Sequence, residues 1–186
     1  EMYRELLNWH LPKLAGVKPG EARAADAFRI EGAARYDSYF TGTERYRQIV
    51  ETIRSTGLPP LAEGRIKVDW EAYLGAAGAT CRTLEVPNDV RLQVTPGSGR
   101  PAADSFLDAY GLALHHAYTD PELPLEGRRL GDASVTIATG SLFRGLLRSP
   151  AFMQRVFDVP AVEMPDYLRL AALITLLRLR RDVGRL

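Results

Sequence analysis

The chain is poor in cysteine: Cys81 stands alone among 186 residues. That excludes an intramolecular disulfide and any zinc cage built from cysteine thiolates. The lack of a disulfide suits a reducing compartment, so a cytoplasmic location is the expectation. Long apolar runs are missing too. The Leu-rich stretch "DYLRLAALITLLRLR" is free of charge only from Leu170 to Leu177, far short of the roughly 20 residues a membrane span needs. No membrane partner is therefore expected. Neither sign of charge dominates, since 24 Lys and Arg against 23 Asp and Glu leave a net +1. Such a balance gives no global field to attract nucleic acid, and none is expected as a partner. The opening "EMYRELLNWH" lacks the basic-then-apolar order of a signal peptide. It also lacks an initiator Met at position 1, which suggests a trimmed chain or a piece of a longer one. No internal repeat and no low-complexity tract is present.

What is there reads as globular, with 46% hydrophobic and 25% charged residues. A chain of this size typically buries roughly 70% of its unfolded surface without staples. The expectation is a single domain over residues 1–186, helical over 1–60, with a small sheet and further helices over 61–186. "MYRELLNWHLPKL" has helical spacing up to Pro12. "PGEARAADAFRIEGAARYDSYF" follows, interrupted at Gly32. "TGTERYRQIVETIRSTG" predicts a helix capped by Thr43, striped by Tyr46, Ile49, Val50 and Ile53, and ended by Gly57. After the connector "LPPLAEG" come three short β-branched segments, "RIKVDW", "ATCRTLEV" and "DVRLQVTP". Pro87 to Asp89 mark a hairpin turn between the last two, and a small antiparallel sheet is expected. Helices are then predicted from about Ala102 to Tyr118, across "GDASVTIATGSLFRGLLRS", across "PAFMQRVF", and across "MPDYLRLAALITLLRLRRDV". Asp132 and Ser134 are placed to cap the second of these. The fold class is mainly α with that small sheet.

Three stretches, in order, resemble the thimet oligopeptidase and oligoendopeptidase F family of zinc metallopeptidases. "RTLEVPNDVRLQVTPGSG" looks like the family's edge hairpin. "GLALHHAYTDPELP" looks like the second half of its metal-binding helix, where relatives read Gly-His-Ala-Leu-His. "EGRRLGDASVTIATGSLFRGLLRSPAFMQRV" looks like the helix of the third ligand, where relatives read Gly-Asp-Asn-Ser-Val-Thr-Glu. The match runs over roughly Ile66 to Val183, and more weakly over Ala24 to Leu58. It implies a zincin-like catalytic-core fragment. The family's His-Glu-x-x-His sets two imidazoles four residues apart on one helix face, with a Glu between them as general base.

Aligned on Gly111, the two His positions are Asp108 and Leu112, the Glu position is Ala109, and the third ligand falls at Ile137. Leu112 and Ile137 cannot bind a metal, and Ala109 cannot act as a base. The resemblance therefore implies a fragment without an intact metal site, and neither a metal nor another cofactor is expected. His115 and His116 are poor replacements, because neighbours on a helix point about 100° apart. His115 reads as structural and His116 as facing solvent or an interface.

Asp108, Tyr110 and His115 remain as acid–base candidates for a repurposed site, with Asp108 made more basic by an apolar wall. Four arginines (Arg178, Arg180, Arg181 and Arg185) near the end of the last helix complement its dipole, or bind an anionic partner. Two functions follow as expectations. The first is an inactive pseudopeptidase serving as a peptide- or protein-binding or assembly module. It would pair with itself or with a partner protein, such as an active peptidase relative. The alternative is a repurposed metal-free enzyme acting on a small molecule in the former cleft. The Leu-rich last helix calls for cover by self-association or a partner.

Overall fold

Backbone chemistry sets the ends of the helices in the computed structural model. The structure describes residues 8, 11–13, 16–18, 20, 21, 23–57, 64–72, 75, 77–95, 97–129 and 131–184. The helix expected over residues 2–14 lies outside these, apart from 8 and 11–13, as does the connector 58–64 apart from Gly64. Helix α1 (Ala24–Gly32) stops at Ala33, whose φ of 51° is left-handed. A 3-10 helix (Ala34–Phe40) follows. Helix α2 (Thr43–Arg54) buries Tyr46, Ile49, Val50 and Ile53, the stripe their spacing predicts. Thr43 is not its cap. Gly42 occupies that place and Thr43 is the first helical residue, with no side-chain cap bond.

Strands β1 (Ile66–Asp69), β2 (Gly78–Glu85) and β3 (Asp89–Thr95) form one sheet in the order β1-β3-β2. β2 and β3 make the expected hairpin, pairing Cys81 with Leu92 and Thr83 with Val90, with an irregularity between Thr83 and Glu85. The expectation of an antiparallel sheet needs correction: β1 runs parallel to β3, setting Ile66 opposite Val90 and Val68 opposite Leu92. Alternation along a strand tells which face each side chain takes, but not the direction of the neighbour. β1 and β2 flank β3 on opposite sides, one parallel and one antiparallel to it, so the sheet is mixed.

Helix α3 (Arg100–Ala117) lies against the sheet, and its C-terminal carbonyl at Ala117 accepts from Arg65 Nη1 at 2.9 Å. A short α4 (Leu125–Arg129), which the sequence did not announce, leads to α5 (Ala133–Arg144). Asp132 caps α5 as expected, its Oδ1 accepting from Ser134 N at 2.8 Å. The 3-10 turn Gly145–Arg148 joins α5 to α6 (Pro150–Phe157), and α7 (Met164–Val183) closes the described chain. Among the described residues, no helix is long and apolar enough to cross a membrane.

One apolar cluster draws on most of these elements, from Leu11 to Ile174. Phe106 of α3 sits fully buried at its centre, with ring centroids 4.9 Å from Tyr46, 6.1 Å from Trp70 and 6.0 Å from Tyr110. Tyr167 meets Tyr36 edge-on at 5.2 Å, and its hydroxyl donates to Leu147 O at 2.9 Å. Two aromatic groups result: one joins α2 to α3 around Phe106, and the other joins α7 to the 3-10 helix around Tyr167. Phe106→Ala is expected to cost about 3–5 kcal/mol in urea unfolding, from lost transfer energy plus a cavity. Leu142→Ala, on an exposed face, should stay within about 0.5 kcal/mol.

A candidate site at the crossing of two helices

α3 and α5 cross at a pair of glycines. A Cβ at Gly111 would stand 2.8 Å from Phe143 Cδ2 and 3.0 Å from both Gly140 Cα and Thr139 O. A Cβ at Gly140 would stand 2.7 Å from Asp108 Oδ1. Only hydrogen at both positions lets the backbones approach this closely.

The positions singled out in the sequence spread around this crossing. Asp108 is half-buried, and its Oδ1 lies 3.4 Å from Arg144 Nε. Burial raises its carboxyl above the ordinary carboxylate range, outweighing the lowering by Arg144, while the like charge of Asp104 raises it further. The ion pair is partly open to solvent on both sides, so its attraction is too weak to win. Ala109 is buried in the core and offers no functional group. Leu112 is half-buried, and Ile137 is 63% exposed. The residue facing Asp108 is Gly140, three positions or nearly one helical turn beyond Ile137. Among the described residues, no group of three or more His, Cys, Asp or Glu is placed to hold a metal ion.

Tyr110 points elsewhere. Its ring stacks on Phe106 at an interplanar angle of 9° and meets Phe143 edge-on. Burial raises its phenol, with Arg54 of α2 beside the hydroxyl. His115 lies two helical turns from Asp108. Asp108, Tyr110 and His115 therefore face three surroundings: Arg144 of α5, the aromatic core, and a cleft.

That cleft, about 570 Å³, opens between the C-terminal half of α3, the α4 segment and the first half of α5. Leu114, His115, His116, Leu123, Val135 and Phe143 give its walls, with threonine hydroxyls between them. Both histidines face it, their rings 5.3 Å apart and nearly perpendicular. His116 Nδ1 is shielded from solvent without a hydrogen-bond partner among the described residues. Burial, then the charges of His115 and Arg129, push its imidazole below its ordinary value. α4 is held in place from outside: Arg128 Nη1 donates to Val86 O at 3.0 Å, and Arg129 donates to Leu84 O. The sequence reading missed this cleft. In "ELPLEGRRLGD" the signal was two leucines flanking a proline, followed by paired arginines, which reads as a turn and a run of charge.

No protein-family model matches the chain. No curated protein and no solved structure matches it either.

Gly111→Ala is expected to destabilise the fold by about 1–3 kcal/mol in denaturant unfolding, because Phe143 and the α5 backbone must shift. The folded pKa of His116 lies below its unfolded value, so the unfolded chain takes up the proton first as pH falls below about 6.5. Stability from this group is complete above that value and is lost as pH falls through the folded pKa. Urea midpoints should therefore drop on acidification more steeply in the wild type than in His116→Gln. Identical slopes would show that the imidazole does not titrate differently on folding.

Proposed function

We propose that the chain is a catalytically inactive pseudopeptidase of the thimet oligopeptidase and oligoendopeptidase F type, acting as a peptide- or protein-binding or assembly module. The observation that carries this is the 570 Å³ cleft beside the helix crossing, lined by apolar side chains that remain open to solvent: Leu123 and Val135 are 41% and 55% exposed. A concave, largely apolar surface with a few polar groups suits an extended peptide carrying Leu- or Phe-like side chains. The positions that would hold the metal machinery carry instead a carboxylate paired with Arg144, a buried alanine and two aliphatic side chains. Exposed Leu176, Leu179 and Val183 on α7 suit self-association or a partner such as an active peptidase relative. The alternative, a metal-free enzyme using Asp108, Tyr110 and His115, has less support, because the three side chains face different surroundings.

Fluorescence anisotropy with a labelled set of Leu- and Phe-rich peptides tests the proposal. Saturable binding is expected, lost in Val135→Asp and Leu123→Asp and retained in Asp108→Ala. Stoichiometric zinc uptake accompanied by peptide cleavage would overturn it, as would binding indifferent to both cleft substitutions.

A further inference from the structure

A second cleft, about 470 Å³, opens at the far end of α5, against the first half of α3 and the last turns of α7. Five guanidinium groups converge on it: Arg100, Arg144, Arg148, Arg178 and Arg181. Carboxylates answer most of them. Asp104 accepts from Arg178 Nη1 at 2.7 Å and stands 3.9 Å from Arg100 Nη2. Arg181 reaches Glu31 at 3.1 Å and Asp182 at 3.9 Å, and Arg144 is shared with Asp108. Arg148 has no ion pair or hydrogen bond among the described residues.

Arg100 lines the cleft from the first turn of α3. It is 3% exposed, yet its Nε and Nη1 are buried without a hydrogen-bond partner among the described residues. Tyr167, beside it, donates its hydroxyl hydrogen to Leu147 O and offers its oxygen to the guanidinium, one acceptor for a group with five N–H donors. Leaving charged N–H groups unmade in the interior is costly, and the planar fork of arginine matches the oxygens of an oxyanion.

We propose that this cleft binds a phosphate group carried by a small phosphomonoester. The guanidinium groups come from α3, from α5 with its 3-10 extension, and from α7, so they approach from several sides. A planar carboxylate with two oxygens cannot use them all, whereas a phosphomonoester presents three terminal oxygens and a charge approaching −2. The volume exceeds that of the anion alone and falls in the range of small-molecule sites. Ile174, Thr175 and Leu179 border the remaining space, where the body of the ligand would lie.

Isothermal titration with inorganic phosphate and with glycerol phosphate at low ionic strength tests the assignment, with acetate as control. Saturable binding is expected for both phosphates, tighter for the monoester, and none for acetate. Arg148→Ala, at an exposed position, should weaken it roughly tenfold, the loss of one charge-assisted contact. Arg100→Lys keeps the charge but loses the fork and should weaken it similarly. If Arg100→Lys fails to fold, as read by circular dichroism, Arg144→Ala takes its place with the same expected loss. Absence of saturable binding, equal affinity for acetate, or wild-type affinity in Arg148→Ala together with the second variant would overturn the proposal.

Discussion

The closest approach of α3 and α5 is the constraint on which the molecule depends. With glycine on both sides of the crossing, the two backbones come nearly into contact, and everything along them is positioned from that point. Phe143 is pressed against Tyr110, which stacks on Phe106, which in turn anchors Tyr46 of α2 and Trp70 beyond β1. Helices held this close must diverge on either side of the contact. One divergence is the apolar cleft at His115 and Val135, and the other is the arginine-lined cleft at Arg144 and Arg148. Both clefts are products of one packing decision made by two hydrogen atoms.

Charge follows the same geometry. Asp104 is nearly buried one turn before Asp108 on α3 and is shared between Arg100 of its own helix and Arg178 of α7. Such a buried pair is weak evidence for net stability, because desolvation offsets much of the attraction. Its value lies in register: α7 can slide along α3 only by separating Arg178 from Asp104. Arg181 with Glu31 of α1 repeats the arrangement nearer the surface. Two of the arginines that looked like a helix-dipole complement, Arg178 and Arg181, therefore join α7 to two other helices. Arg185 lies outside the described residues.

The sequence spoke most clearly where one residue type has one local consequence. The stripe Tyr46, Ile49, Val50 and Ile53, the Asp132 cap and the turn at Pro87 to Asp89 all depend on neighbours a few residues away. Sheet direction did not, because β1 and β3 are joined through another strand and nothing in "RIKVDW" encodes orientation. α4 escaped because it buries no residue among its five and so leaves no apolar period to read. The divergence of Asp108 from Tyr110 was legible in principle, since residues two apart on a helix point roughly 200° from each other. The arginine cleft was not, because Arg178 meets Asp104 across 74 positions of sequence. Gly111 drew attention as the point of family likeness. Its packing against Gly140 supplies a physical reason for glycine there that holds independently of ancestry.

Arg128 and Arg129 have a consequence beyond shaping the cleft. β2 is an outer strand of the sheet, and its far end carries an exposed Leu84. A bare, apolar strand edge invites a strand from another molecule, the first step toward aggregation. Here the carbonyls of Leu84 and Val86 are already taken by two guanidinium groups, each charged and each on a helix too short to pair as a strand. The α4 segment thus doubles as a guard on the sheet, and a ligand that displaced it to enter the cleft would also uncover a sticky edge.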